Sequence, residues 1–223
     1  SLKAFFNDPL IVILYKSTEI PGLKAHYPFE MNMNDESGNN LHGNDYGASG
    51  YANGIRSFAR IFTNDPAYGV PATDYATIPN VINSEEFTIN LWAKFNYAGN
   101  HQSLVYLSTG QDWSKANFWL FTSPDMKLSV ILNGLDLRSI DYSHDAYKYG
   151  YFNDAFLSSK SLDYDRFYNI TCTFKNSVVE IYVDGELYAK YLNVYRTVGN
   201  PDVPILLGVC PKPGLMYYPL VGR

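Results

Sequence analysis

The sequence is poor in charged residues and in cysteine, and each shortage excludes a class of protein. Only 17% of the 223 residues are Asp, Glu, Lys or Arg, the net charge is −5, and no run of basic residues occurs. Because nucleic-acid binding rests largely on clustered Lys and Arg, we expect no nucleic-acid partner. Two cysteines are too few for a disulfide framework, although they could form one bridge. The strand pattern around Cys172 points its side chain inward and favours a buried free thiol.

Long hydrophobic runs are also missing. The longest aliphatic run near the start is L-I-V-I-L at residues 10–14, which is far too short to cross a bilayer. Because no run is long enough to span a bilayer, we expect no membrane insertion. No signal peptide is visible either. The chain begins at Ser1 rather than Met, which leaves room for a leader, a tag or an upstream domain that has been removed.

Helical periodicity is nearly absent, and short strand-like runs recur between Gly, Pro, Asn and Asp residues. Strands at such regular spacing predict a β-sandwich or a barrel. The predicted strands are residues 10–15, 24–30, 55–62, 74–78, 87–95, 103–108, 118–122, 127–132, 167–174, 178–183, 187–191 and 204–208. Asp184-Gly185, between two of these runs, is typical of a two-residue type I′ hairpin turn.

The run at residues 87–95 alternates, so one set of side chains faces a core and the other faces away. Trp92 falls in the outward polar row with Asn90 and Lys94. Either a long loop covers Trp92, or the ring lies on a sheet face that is open to a ligand. Because large aromatic side chains are usually mostly buried, we expect the covering loop.

Six landmarks occur in the order and spacing of one family. They are Y-P-F-E at residues 27–30, D-E-S-G-N-N-L-H-G at 35–43, D-Y-A-T-I-P at 74–79, F-T-I-N-L-W-A-K at 87–94, V-D-G-E-L at 183–187 and P-I-L-L-G at 204–208. Together they resemble the laminin-G-like, concanavalin A-type jelly-roll family, in its bacterial and viral branch. The resemblance implies an all-β fold, a jelly-roll sandwich of two antiparallel sheets packed face to face. The sandwich would span residues 24–223, after an N-terminal extension at 1–23 with one candidate edge strand.

The same resemblance implies a role in binding glycans or other extracellular surfaces, often with calcium. By resemblance Asp35 is the first candidate metal ligand, with Ser37 and Asn39 as weaker ones. Calcium prefers six to eight oxygen ligands, which a loop this rich in Asn, Asp and Ser offers. A hydrogen-bonded turn without an ion would use the same residue types, so both interpretations stay open.

The chain departs from the family at its end. Members continue after the closing glycine into a last strand with acidic residues, whereas this sequence stops at residue 223. We expect that strand and any metal ligand on it to be lacking. The strand predicted at residues 10–15 could fill the vacated edge; otherwise the open edge invites pairing with another protein chain. A structural or adhesive subunit of a cell-surface or virion assembly is therefore the alternative function.

Carboxylates in a catalytic arrangement are hard to find. A glycosidase needs two across the scissile bond, and no E-x-D-x-E alternation occurs. Glu85 and Glu86 are adjacent and are typical of a solvated turn, and Asp163 and Asp165 fall in a loop. A glycoside hydrolase or polysaccharide lyase is therefore less favoured than a non-catalytic module.

Three aromatic residues are the candidate sugar-binding residues. Trp113, in T-G-Q-D-W-S-K at residues 109–115, is the foremost, because a flat ring stacks on the apolar face of a sugar. Trp92 and Tyr149 are weaker candidates. Tyr149 belongs to a Tyr-rich segment at residues 136–165 that fits no strand pattern and is typical of a binding loop. Taken with the family resemblance, which implies the role and the location, these residues predict a lectin-like module on an extracellular, cell-surface or virion protein.

Overall fold

The regular secondary structure of the described residues consists of β-strands. The computed structural model describes residues 20–47, 50–64, 71–108, 116–132, 157–192, 202–212, 215–217 and 221–222. No helix forms within these ranges, so none there is long and apolar enough to cross a membrane. The strands are β1 (Asn44–Tyr46), β2 (Tyr51–Asn53), β3 (Phe58–Arg60), β4 (Phe62–Thr63), β5 (Tyr75–Ile78), β6 (Phe87–Lys94), β7 (Gln102–Ser108), β8 (Ala116–Thr122), β9 (Lys127–Leu132), β10 (Leu157–Ser161), β11 (Phe167–Lys175), β12 (Val178–Val183), β13 (Glu186–Tyr191), β14 (Ile205–Leu207), β15 (Cys210–Lys212), β16 (Leu215–Tyr217) and β17 (Val221–Gly222).

Eleven of these strands form two sheets. The seven-stranded sheet has the order β1-β5-β14-β7-β8-β9-β10, and the four-stranded sheet has the order β13-β12-β11-β6. The other strands pair as β2-β3, β4-β17 and β15-β16. Every pairing is antiparallel. The predicted all-β, two-sheet antiparallel sandwich is thereby confirmed.

The two sheets share one core because their strands alternate apolar and polar side chains. The Phe87 ring of β6 meets Phe118 of β8 edge-on, with 5.2 Å between the ring centroids. Each large apolar side chain that is fully buried in this core stabilises the fold by about 1.5–3 kcal/mol. The inward residues of the run from β6 are those that the alternation predicted: Phe87, Ile89, Leu91, Ala93 and Phe95.

The seven-stranded sheet carries a second apolar cluster on its other face. Strand β8 is buried at every position. Trp119 stacks on Phe121 with 4.1 Å between the ring centroids, and its indole N–H donates to the Ser103 hydroxyl at 3.0 Å. That hydroxyl donates in turn to the carbonyl of Val209 at 3.0 Å, and Cys210 belongs to the same cluster. The chain that follows β14 therefore covers this face.

Both cysteines are buried free thiols, which settles the question of a bridge between Cys172 and Cys210. Burial raises the pKa of the Cys172 thiol to about 12. A thiol that stays protonated is a poor nucleophile and a poor metal ligand. Cys172 is therefore a core residue, as its strand position predicted.

A buried ionic network joins the first strands. Arg60 is 3% exposed, and its guanidinium lies 2.7 Å from Asp45 and 2.5 Å from Asp74. Asp74 also accepts the backbone N–H of Thr63 at 2.7 Å, and the Asn64 side chain bonds to the Asp74 backbone. Arg60 and Asp74 are buried, and both are paired and hydrogen-bonded, as buried charges require; Asp45 is exposed.

The strands differ from the prediction at the N-terminal end. Residues 24–30 form no strand, because Phe29 and Met31 adopt positive φ values of 58° and 59° and the backbone of His26 bonds to a side chain. The predicted strand at 55–62 divides into β3 and β4, and β10 lies in a segment where no strand was predicted. The strand predicted at residues 10–15 lies outside the described residues, so its place at the vacated sheet edge stays a prediction.

Candidate functional site

The outward side of the four-stranded sheet is the first candidate site. A row of facing residues crosses all four strands, from Asn90 through Thr171 and Tyr182 to Leu187. Neighbouring strands lie about 4.8 Å apart, so the row spans about 14 Å. Trp92 lies next to this row, opposite Asn169. We call this surface the Trp92 face.

Trp92 is open to solvent on this face. Its side chain is 51% exposed, and that of Leu187 on the far strand is 50% exposed. The expectation that a loop covers Trp92 is therefore wrong. Whether a loop covers a strand residue depends on distant parts of the chain, which the alternation of one strand does not report.

Three polar side chains beside Trp92 hold each other in place. The Asn90 amide donates to the Asn169 side-chain oxygen at 2.9 Å and to the Thr171 hydroxyl at 2.7 Å. The Asn169 amide donates back to Asn90 at 3.3 Å. An amide carries two N–H groups and a hydroxyl carries its own hydrogen, so Asn169 and Thr171 keep donors beyond these bonds. The trio forms a fixed, uncharged set of donors and acceptors.

Ion pairs surround the face. They are Lys94–Asp165 at 3.2 Å, Arg166–Asp184 at 2.6 Å, Lys175–Glu86 at 3.7 Å and Lys190–Glu180 at 2.7 Å. The Tyr182 hydroxyl also donates to Glu180 at 2.7 Å. The bonds from Lys190 and Tyr182 lower the pKa of Glu180, and the bond to Glu180 raises the pKa of Lys190. Both groups of this pair therefore stay charged at neutral pH.

The loop at residues 26–43 is the second candidate site, and Asp35 organises it. The carboxylate accepts backbone N–H groups from His26 at 2.9 Å, Ser37 at 2.9 Å and Leu41 at 3.0 Å. It also accepts the Ser37 hydroxyl at 2.8 Å. Burial raises the pKa of Asp35, but these hydrogen bonds outweigh burial and lower the pKa to about 2. The carboxylate is thus ionised and held by four donors.

Ser37 and Asn39 complete this bonded loop. The Asn39 side-chain amide donates to the carbonyl of Lys24 at 2.9 Å and to the Ser37 hydroxyl at 3.2 Å. The structure therefore brings the three predicted metal ligands together, and N–H and O–H groups point at the carboxylate of Asp35. A calcium ion would need those same carboxylate oxygens, so the residues as arranged do not fit the ion. Within the described ranges, no three His, Cys, Asp or Glu side chains gather as a metal site.

The predicted residues fall in different places. The loop of Asp35 borders the seven-stranded sheet, where Gly43 lies against Thr77 of β5. Trp92 lies on the four-stranded sheet. Trp113 and Tyr149 lie outside the described residues and stay predictions.

Some residues of the Trp92 face escaped the sequence analysis. The Asn169, Thr171, Tyr182 and Leu187 side chains join the face through strand register, which places β11 between β6 and β12. The period-two pattern that points Cys172 inward also points Thr171 outward. Nothing local to β11 indicates that Trp92 is its neighbour, because the two strands are far apart in sequence.

The two antiparallel sheets packed around one core define the class of the fold, a β-sandwich. The chain belongs to the concanavalin A-like lectin/glucanases superfamily, whose laminin G family model matches residues 70–216. The matched range includes the landmarks from residue 74 onward and leaves out those at residues 27–43. No curated protein matches the chain by sequence.

Solved structures share the fold at low sequence identity. Domain 4 of AbnA, a GH43 extracellular arabinanase from Geobacillus stearothermophilus solved with arabinotriose, is 14% identical with a TM-score of 0.59; the match covers 89% of this chain and 86% of that domain. The binding domain of Paraclostridial Mosquitocidal Protein 1 is 15% identical with a TM-score of 0.51, over 85% of this chain and 42% of that one. A botulinum neurotoxin type C structure, described by its dependence on two ganglioside molecules, is 15% identical with a TM-score of 0.52, over 82% and 43%.

Proposed function

We propose that the chain is a non-catalytic carbohydrate-binding domain and that the Trp92 face is its binding surface. One observation carries the proposal: Trp92 is 51% exposed beside three hydrogen-bonded polar side chains on an open sheet face. Large apolar side chains exposed beside ordered polar groups are typical of binding surfaces.

The chemistry of the face suits a sugar. A sugar ring has an apolar C–H face and a periphery of hydroxyl groups. The Trp92 indole offers a flat apolar surface for the C–H face of the sugar. The amides of Asn90 and Asn169 and the Thr171 hydroxyl can exchange hydrogen bonds with the sugar hydroxyl groups. Because the trio is already ordered by its own bonds, little conformational entropy is lost on binding.

The structural relatives support this role. The arabinanase domain is described in complex with arabinotriose, and the neurotoxin through its interaction with gangliosides. Both are sugar-containing ligands bound by proteins that share this fold. The arabinanase is also described as extracellular, which supports placing this chain on a secreted, cell-surface or virion protein.

Replacing Trp92 with Ala tests the proposal. We expect Trp92→Ala to weaken binding to glycans found on an array by about tenfold or more, which corresponds to about 1.4 kcal/mol. The melting temperature should stay nearly unchanged, because half of the side chain is already in water. Isothermal titration calorimetry measures the affinity, and differential scanning calorimetry measures the melting temperature.

Tyr46→Ala is the matched control. Tyr46 is also an exposed aromatic residue, at 42%, but it lies on β1 in the other sheet, stacked on Tyr75. Its loss should leave glycan binding unchanged. Equal losses in the two variants, or none with Trp92→Ala, would contradict the proposal. Trp113→Ala and Tyr149→Ala belong in the same series, because the sequence predicts both as sugar-binding residues.

A further inference from the structure

We infer that the Trp92 face selects neutral glycans and discriminates against acidic ones. This inference rests on the proposed function and adds the chemical class of the ligand. It follows from the distribution of charge over the face, which the described side chains define.

The polar side chains that bond to one another beside Trp92 carry no formal charge. Trp92 is apolar, and the Asn90, Asn169 and Thr171 side chains beside it are neutral donors and acceptors. Such groups satisfy sugar hydroxyls, which are themselves both donors and acceptors. A sugar carboxylate, by contrast, is best held by a cation, above all by the two parallel N–H groups of an arginine.

The cations around the face are already engaged. Lys94, Lys175 and Lys190 on this side of the sheet, and Arg166 just before β11, each lie within 4 Å of a carboxylate. Arg166 is held most closely, because its guanidinium contacts Asp184 at 2.6 Å and also lies over the Tyr168 ring at 4.5 Å. An acidic sugar would have to displace one of these carboxylates or accept a position beside it.

The remaining charge opposes an acidic ligand. Each of these four cations brings a carboxylate with it, so together they give the face no net positive charge, and the whole chain carries −5. Like charges placed together at an interface reduce affinity, and a protein of net negative charge slows the approach of an anion. A neutral glycan experiences neither effect.

A glycan array of matched pairs tests the inference. Each neutral oligosaccharide is printed beside a counterpart that carries one sialic acid, as lactose beside sialyllactose, with arabinotriose as a further neutral probe. We expect at least one neutral glycan to bind in a way that depends on Trp92. Its acidic counterpart should bind about tenfold more weakly or not at all.

Glu180→Gln then tests whether the face itself discriminates. The substitution removes the carboxylate 2.7 Å from Lys190 and frees that cation. We expect binding of the acidic counterpart to rise severalfold while binding of the neutral glycan stays the same. Asp125→Asn is the control, because it makes the same change in net charge and frees Lys127 on the other sheet. It should alter neither affinity.

The outcomes separate the two proposals. Stronger Trp92-dependent binding to the acidic member of a pair overturns this inference and leaves the proposed function standing. Equal increases in affinity for the acidic glycan from Glu180→Gln and Asp125→Asn also overturn this inference. Net charge, and not the face, would then set the selectivity. Absence of any Trp92-dependent binding overturns the proposed function, and this inference with it.

Discussion

Asp35 orders its loop through hydrogen bonds from three backbone N–H groups and the Ser37 hydroxyl. His26 and Leu41 are nine and six residues from Asp35 in sequence, and each donates a backbone N–H to the Asp35 carboxylate. Four donors satisfy most of the lone pairs of the two oxygens. The sequence could predict that residues 35–43 form a tight polar loop. It could not distinguish an ion from backbone N–H groups, because both satisfy the same oxygens.

Asp35→Asn should destabilise the protein in a pH-dependent way. The folded state lowers the pKa of Asp35 from 3.8 to about 2, so ionised Asp35 contributes about 2 kcal/mol above pH 4. That contribution is lost as the pH falls from about 4 toward 2. We expect Asn, whose amide N–H groups would face backbone donors, to lose at least this much at pH 7. Urea denaturation at a series of pH values measures the difference.

The difference between wild type and Asp35→Asn should narrow as the pH falls below 4. Glu85→Gln is the control, because Glu85 is an exposed carboxylate on the bend before β6. Glu85→Gln should change the free energy of unfolding little at any pH. A constant difference between wild type and Asp35→Asn over this pH range would show that the low pKa does not contribute to stability.

Calcium removal tests the other interpretation of the same loop. Because the Asp35 oxygens already accept hydrogen bonds, we expect EDTA to leave the melting temperature unchanged and added calcium not to raise it. A ligand that binds only the folded state must raise the melting temperature with concentration. A calcium-dependent rise that Asp35→Asn abolishes would restore the predicted metal site.

At the scale of elements, two glycines with the same backbone conformation have different surroundings. Gly185 (φ +84°) lies in the predicted hairpin turn after Asp184 (φ +52°), and a Cβ added to it would meet no described atom within 4 Å. Gly208 (φ +79°) follows β14, and a Cβ there would overlap the Phe62 ring. The first glycine is needed only for its positive φ, and the second also for its lack of a side chain.

Alanine at the two positions should separate these two requirements. We expect Gly185→Ala to cost about 1 kcal/mol, the strain of a left-handed alanine. Gly208→Ala should cost about 3 kcal/mol or more, because overpacking against Phe62 adds to the same strain. The free energy of unfolding in urea gives both values, and equal costs would mean that the Phe62 ring moves aside freely.

The elements that sequence reasoning predicted well are those with local signals. The Asp184-Gly185 hairpin and the alternation from Phe87 depend only on adjacent residues. Residues 24–30 also alternate, but side-chain bonds to the following loop prevent a strand there. A local pattern thus predicts the direction in which a side chain points better than it predicts whether the backbone finds a partner strand.

At the scale of the whole molecule, the sequence predicted two sheets. It did not predict that the outer face is covered in one sheet and leaves Trp92 exposed in the other. Strand β8 of the seven-stranded sheet is buried on both faces, and Cys210 packs in the cluster of Trp119. The four-stranded sheet keeps Trp92 exposed. Which sheet is covered depends on the path of the chain after Gly208, and no spacing within a strand encodes that path.

Trp92 and Trp119 are two tryptophan fluorophores with opposite surroundings, and Trp113 is a third that lies outside the described residues. Trp119 is sealed in an apolar layer and fully buried, whereas Trp92 is half in water. A dissolved quencher reaches the Trp92 indole far more readily, and its emission lies at the longer wavelength. A sugar seated on Trp92 would shield that ring while Trp119 stays constant as an internal reference. The difference spectrum between wild type and Trp92→Phe isolates the signal, so the domain can report its own ligand without a label.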